Sequence, residues 1–213
     1  MKLVSRFAPA IVVTAVLAGC STPAPETPNL AGLGTLSGDF PPGLTPSEPW
    51  SGPKEVDPRW AHLVGDTVNY GDEFTVDPAQ CRPLLKPVEA QAGAIRAGIG
   101  AGGPQPPLLS VSAVDPIAVP VPVPDSGCNR VKFTVGDAVP DGTAVRLDAP
   151  VFDGATTYGL RIDHGGVVEY FYTAILDGRT YVQVTARMAP DFQAEPLLPD
   201  LLTKAVAAIR SPN

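Results

Sequence analysis

ATTYGLRIDHGGVVEYFYTAILDGRTYVQVTARM, residues 155–188, is the stretch whose reading decides the fold. Apolar and polar residues alternate along it, the period at which strand side chains change faces. Asp163-His164-Gly165-Gly166 and Asp177-Gly178 interrupt the alternation, and Gly-containing connections of this length suit hairpins. The spacing predicts three successive strands over 155–163, 167–176 and 179–188. Val168, Tyr170, Tyr172, Ala174 and Leu176 share one face of the second strand, and Val182, Val184, Ala186 and Met188 share one face of the third. Both patterns suit a sheet with a buried side.

Moving outward, NRVKFTV, ending at Val135, and residues 143–148 read as two further strands, and 108–114 as another. IAVPVPVP, 117–124, alternates as well, but its prolines lack the ladder donor, so it reads as an edge or connection. Leu198, Leu201, Leu202, Ala205, Ala208 and Ile209 recur at helical spacing and predict a packing helix over 197–210. DPAQCRPLLKP, 77–87, begins with a cap and a proline suited to a first helical position. With Cys81, Leu84, Leu85, Val88, Ala92 and Ile95 as an apolar stripe, residues 78–97 are expected to form a first helix, bent or restarted at Pro83 and Pro87 and ended by the glycines from Gly98 to Gly103. The expected architecture is α+β: one domain over 39–211, a mostly antiparallel sheet packed with at least two helices.

The N-terminus stands apart. MKLVSRFAPAIVVTAVLAGC has Lys2 and Arg6 before an apolar run too short to span a bilayer comfortably, the pattern of a secretory signal peptide. Leu17-Ala18-Gly19-Cys20 resembles the bacterial lipobox. The resemblance implies diacylglyceryl transfer to Cys20, cleavage after Gly19 and attachment to the outer face of the plasma membrane. Two or three acyl chains suffice for stable anchoring where one does not. Ser21 to Gly38, rich in Pro, Gly, Ser and Thr, is expected to be a disordered tether.

Loss of residues 1–19 would reduce 15 basic residues to 13 against 22 acidic ones, a formal charge of −9 instead of −7. No Lys/Arg cluster offers a nucleic-acid footprint. An acidic surface also disfavours adhesion to anionic lipid, which leaves Cys20 as the membrane contact. Cys81 and Cys128 then remain as an even pair in an oxidising compartment, without C-x-x-C spacing or nearby metal-ligating histidine, and predict a structural disulfide.

The order of features resembles a family of exported mycobacterial and actinobacterial lipoproteins and, more distantly, the extracellular sensor domain of a mycobacterial serine/threonine kinase. The resemblance rests on the lipobox, Phe40-Pro41-Pro42-Gly43-Leu44, Asp77-Pro78-Ala79-Gln80-Cys81, Gly127-Cys128, Gly154-Ala155-Thr156-Thr157-Tyr158-Gly159, the Tyr181 strand and the closing helix. It implies a compact domain with a shallow cleft and an envelope role, and it carries over no catalytic residue.

Chemistry-bearing motifs are sparse. His62 and His164 lack H-x-x-x-H spacing, and His164 has no G-x-S-x-G partner. Asp66, Asp72, Glu73 and Asp77 do not follow the EF-hand pattern, and Gly98–Gly103 lacks the Lys-Ser/Thr ending of a phosphate-binding loop. No metal, cofactor or catalytic residue is expected. Binding is better served: Tyr170, Tyr172, Tyr181, Gln183, Thr185 and Arg187 are the candidate ligand contacts, a mixed lining suited to a lipid, glycolipid or peptide. Trp50 and Trp60 read first as buried anchors and second as lining of a binding surface. The expected function is a membrane-tethered, non-catalytic lipoprotein binding an amphiphilic small molecule or an envelope protein. A hydrolase of envelope lipid or glycan, and a pure scaffold, are the alternatives.

Overall fold

The computed structural model describes residues 27–46, 52–68, 71, 73–103, 107–136, 141–187 and 192–212. The predicted signal peptide, Cys20 and Trp50 lie outside them. Ten strands run through these residues: β1 (Thr45–Pro46), β2 (Lys54–Glu55), β3 (Phe74–Asp77), β4 (Glu89–Gly102), β5 (Leu108–Ala118), β6 (Arg130–Val135), β7 (Gly142–Leu147), β8 (Ala155–His164), β9 (Val167–Leu176) and β10 (Thr180–Arg187). All pair antiparallel in one sheet, in the order β1-β4-β5-β10-β9-β8-β7-β6-β3, with β2 also on β4. Helix α1 (Arg82–Leu85) is a single turn, and α2 (Leu197–Arg210) is the closing helix at the predicted bounds. The architecture is α+β.

Strands β8, β9 and β10 form the two expected hairpins, joined through Gly165-Gly166 and Asp177-Gly178. Their alternation feeds two cores, one on each side of the sheet. On one face Tyr172, Ala174, Val182 and Val184 pack with Leu198, Leu201, Leu202 and Ala205 of α2. On the other, Tyr158, Leu160, Phe171 and Tyr181 pack with Leu84, Leu85 and Val88. Asp115 of β5 fastens the sheet across its strands, accepting from Arg179 Nε at 3.0 Å and Thr180 Oγ1 at 2.8 Å.

Three expectations are corrected. First, residues 89–97 are a strand, not a helix. A 3₁₀ turn (Ala79–Cys81) and α1 are all that form, without a side-chain cap, and Pro87 does not lead into a restarted helix. Glu89–Gly102 instead pairs with β5 along its length, apart from a register shift between Ala90 and Ile95. Gly93 lies in that shift with φ +73°, a conformation no α-helix contains and one that glycine adopts at little cost.

Second, the expected disordered tether 20–38 does not extend through its second half. Leu30–Gly38 is a 3₁₀ helix whose Leu30, Leu33 and Leu36 are buried against α2 and β4. Asn29 caps it, its side chain accepting from Gly32 N at 3.1 Å, and its own N–H donates to Ile209 O at 2.8 Å. Leucines three apart meet on one side of a 3₁₀ helix, so a segment poor in apolar residues still presents an apolar edge. Third, Trp60 is no buried anchor; it is 53% exposed.

Phe133 and Gly142 face each other across β6 and β7, and a Cβ on Gly142 would lie 2.0 Å from Phe133 Cζ. The ring occupies the space a side chain would take, and it is itself buried. Gly142→Ala is therefore expected to cost about 1–3 kcal/mol, the usual range for overpacking. Urea unfolding checks this: an unchanged midpoint would show that the ring moves aside without penalty.

Candidate functional site

The face of β10 turned away from α2 carries Tyr181, Gln183, Thr185 and Arg187. Register places them in rows across the sheet. Tyr181 stands beside Val114 of β5, Gln183 beside Ser112, and Thr185 beside Ser110. On β4 the same rows continue to Arg96, Gly98 and Gly100. Glycines in a strand interior leave its backbone bare, which lowers the floor beside Ser112 and Ser110. Above this floor runs the loop from Trp60 to Asp66, which includes a 3₁₀ turn at Ala61–Leu63. Floor and roof enclose a cleft of about 380 Å³, open to solvent, with Trp60 on its lining.

The roof is held by local hydrogen bonds. Asp66 accepts from the N–H groups of Val68 at 3.1 Å and Gly71 at 3.0 Å, so its carboxylate is engaged by its own loop. Thr67 then ties the loop to α1, its N–H and its hydroxyl donating to Leu85 O at 3.1 and 2.8 Å. Helix α1 follows Cys81 directly, and Cys81 is disulfide-bonded to Cys128 at 2.02 Å, both sulfurs in the buried core. The predicted disulfide therefore fixes the corner from which the roof hangs.

The lining mixes polar and apolar groups. Ser110 Oγ and Thr185 Oγ1 lie 2.5 Å apart, and Gln183 Nε2 donates to Tyr181 Oη at 2.5 Å. Leu63, Val64 and Val114 supply apolar wall. Burial pushes the Tyr181 hydroxyl up, so it stays protonated at neutral pH. Arg187 Nε lies 3.7 Å from Glu169 Oε1, and burial of Glu169 raises its carboxyl above the usual range against the opposing pull of Arg187. Half-burial also holds the Arg96 guanidinium below its ordinary value.

Of the six candidate contacts, Tyr181, Gln183, Thr185 and Arg187 line this cleft. Tyr170 and Tyr172 do not. They occupy the opposite face of β9, where Tyr172 is buried under α2 and donates to Glu195 Oε1 at 3.3 Å, and Tyr170 meets the Phe192 ring edge-on. Alternation on β9 separates Tyr170 and Tyr172 from Glu169, Phe171, Thr173 and Ile175, which share the cleft-side face. Arg96, Ser110, Ser112 and the Trp60–Asp66 roof complete the cleft. Sequence reasoning offered only Trp60 among them, as its second reading.

His164 ends β8 beside Phe133, ring centroids 6.4 Å apart, and is not part of the cleft lining. Among the described residues no three His, Cys, Asp or Glu side chains gather to hold a metal ion. No helix among them is long and apolar enough to cross a membrane.

Residues 29–210 match the family described as "Domain of unknown function (DUF5642)". The chain belongs to this DUF5642 family. Its match begins at Asn29, where the 3₁₀ helix is capped, and closes at the last residue of α2. Among solved structures the DUF5642 domain is similar to an uncharacterised protein of Mycobacterium smegmatis, the Rv0999 ortholog. The two share 27% identity and a TM-score of 0.65 over 87% of this chain and 98% of that one. The extracellular domain of PknH from Mycobacterium tuberculosis is also similar, at 10% identity and a TM-score of 0.41 over 85% of this chain and 91% of that one. The M. smegmatis structure agrees with the mycobacterial resemblance in the sequence. No curated protein matches the chain.

Proposed function

We propose that this DUF5642 protein is an exported lipoprotein, anchored through acylated Cys20, whose cleft binds a small amphiphilic molecule. The observation that carries the reading is the cleft itself: a polar floor of Ser110, Ser112, Gln183 and Thr185 beneath a partly apolar roof, in about 380 Å³. A ligand pocket combines apolar walls with a few placed polar groups in this way. The signal-like N-terminus, the Leu-Ala-Gly-Cys run and the Cys81–Cys128 disulfide support export and anchoring. His164 is not among the residues lining the cleft, which gives the hydrolase reading no support there.

The test is native mass spectrometry of the acylated protein extracted from its own membrane, compared with Ser112→Phe, which fills the floor. The expected result is a lipid-sized non-covalent adduct on the wild-type protein, absent from the variant, with Cys20→Ser moving from the membrane fraction to the soluble one. An adduct missing from wild type, or retained in Ser112→Phe, would overturn the binding reading. A Cys20→Ser protein that stays with the membrane would overturn the anchor.

A further inference from the structure

Strand register sorts the cleft-side face of β4, β5 and β10 into four rows. Arg96, Val114 and Tyr181 make the first, and Leu108 and Arg187 the last. Between them lie Gly98, Ser112 and Gln183, then Gly100, Ser110 and Thr185. Rows on one face stand two residues apart, about 6.7 Å, so the two arginines sit at opposite ends with about 20 Å of strand between them. The charged groups of the lining are all engaged within the protein: Asp66 by its own loop, Arg187 with Glu169, and Arg96 within the fold as well. The middle of the floor is therefore a neutral polar tray.

This tray offers both halves of a hydrogen bond. Gln183 donates one amide N–H to Tyr181 Oη at 2.5 Å, which leaves its amide oxygen and second N–H for a ligand. Ser110 Oγ and Thr185 Oγ1, 2.5 Å apart, bond to one another and keep acceptor lone pairs. Ser112 adds a hydroxyl beside Gln183. A phosphate or carboxylate only accepts, and would set its charge against those lone pairs, whereas a hydroxyl both donates and accepts. Adjacent strands lie about 4.8 Å apart and the rows about 6.7 Å, so these groups are spread as the hydroxyls of a single sugar ring are. A peptide backbone would need the open ladder of an edge strand, and β5 and β10 are interior strands. Trp60, 53% exposed on the lining, supplies a flat apolar surface that the C–H face of a sugar can cover.

We propose that the cleft holds one neutral hexosyl unit, its hydroxyls on the tray of Ser110, Ser112, Gln183 and Thr185 and its ring against Trp60. This rests on the binding reading above and specifies its ligand. Leu63, Val64 and Val114 provide apolar wall for a hydrocarbon attached to the sugar.

The experiment is calorimetric titration of the full anchored protein in phosphatidylcholine nanodiscs, with empty nanodiscs as the blank. The probes are butyl glucoside and butyl mannoside, against butyl phosphate and the butyl ether of triethylene glycol. At least one glycoside is expected to bind one to one, about tenfold or more tighter than the phosphate and the ether. Trp60→Ala should weaken it by about tenfold and Ser112→Ala by about three- to tenfold, with unfolding midpoints unchanged. Raising salt should leave the glycoside affinity of the wild-type protein as it was, a readout that needs no variant. Methyl glycosides separate the sources: equal binding of methyl and butyl forms supports a free saccharide, and a butyl form about tenfold or more tighter supports a glycolipid. Glycosides that bind no tighter than the ether or the phosphate, or variants that bind like wild type, would overturn the sugar assignment and leave cleft binding intact. Failure of every probe would overturn the sugar assignment alone if the wild-type protein still carries an adduct that Ser112→Phe loses, and both readings if it carries none.

Discussion

Cys81→Ser is expected to lower the thermal midpoint by about 10 °C under oxidising conditions. The bond joins residues 47 apart, and closing a loop of that size constrains the unfolded chain by about 4 kcal/mol. In a domain of this length each kcal/mol moves the midpoint by about 2–4 °C. Cys128→Ser and the double variant should fall by the same amount, because all three lose one and the same bond. Reductant should bring the wild type to the variants' level. The loss reaches the cleft as well: Cys81 leads into α1, and Leu85 O is where Thr67 ties down the roof. A midpoint unchanged in all three variants would show that the bond contributes nothing to stability.

Leu33→Ala should cost about 2–5 kcal/mol, the range for truncating a buried leucine. Leu33 is 1% exposed, between the 3₁₀ helix and the α2 core. The same substitution in a disordered tether would cost nothing, so this variant separates the two descriptions of residues 29–38. Urea unfolding should show a lower midpoint with an unchanged slope, while Ser37→Ala, on the exposed side, should behave as wild type. A Leu33→Ala midpoint matching Ser37→Ala would return this segment to the tether.

The sheet was legible where chain neighbours are also sheet neighbours. β8, β9 and β10 announce themselves by alternation and by Gly-containing turns, and β9, the middle strand, finds both its partners within the same short stretch. β4 was not legible, because its identity is set from outside. Ala90, Ala92, Ala94, Ala97 and Ala101 favour no strand, and Cys81, Leu84, Leu85, Val88 and Ile95 fit a helical stripe equally well. Pairing with β5, which the local pattern does not encode, decides the matter. The 3₁₀ helix at Leu30–Gly38 was missed for a related reason: three leucines among glycines and small residues carry little weight until α2 offers them a surface.

The candidate site divides along the same line. Period-two alternation correctly put Tyr181, Gln183, Thr185 and Arg187 on one face of β10. It gave no means of telling which face of β9 looks the same way, so Tyr170 and Tyr172 joined them in error. Arg96, Ser110 and Ser112 reach the cleft through sheet order, and the Trp60–Asp66 roof through its tie to α1. Neither relation leaves a trace in local sequence.

With Cys20 acylated as proposed, the N-terminal 3₁₀ helix would also set the length of a leash. Were residues 21–38 all free chain, their 18 residues would let the domain stand up to about 60 Å from an anchor at Cys20. With the chain gripped from Asn29, only eight residues, 21–28, lie between, and their fully extended reach is below about 30 Å. That is less than the thickness of the bilayer with its head groups. Because Asn29 is bonded to Ile209 at the end of α2, the pull of such a leash would fall on the helix side of the sheet, leaving the cleft on the unloaded side.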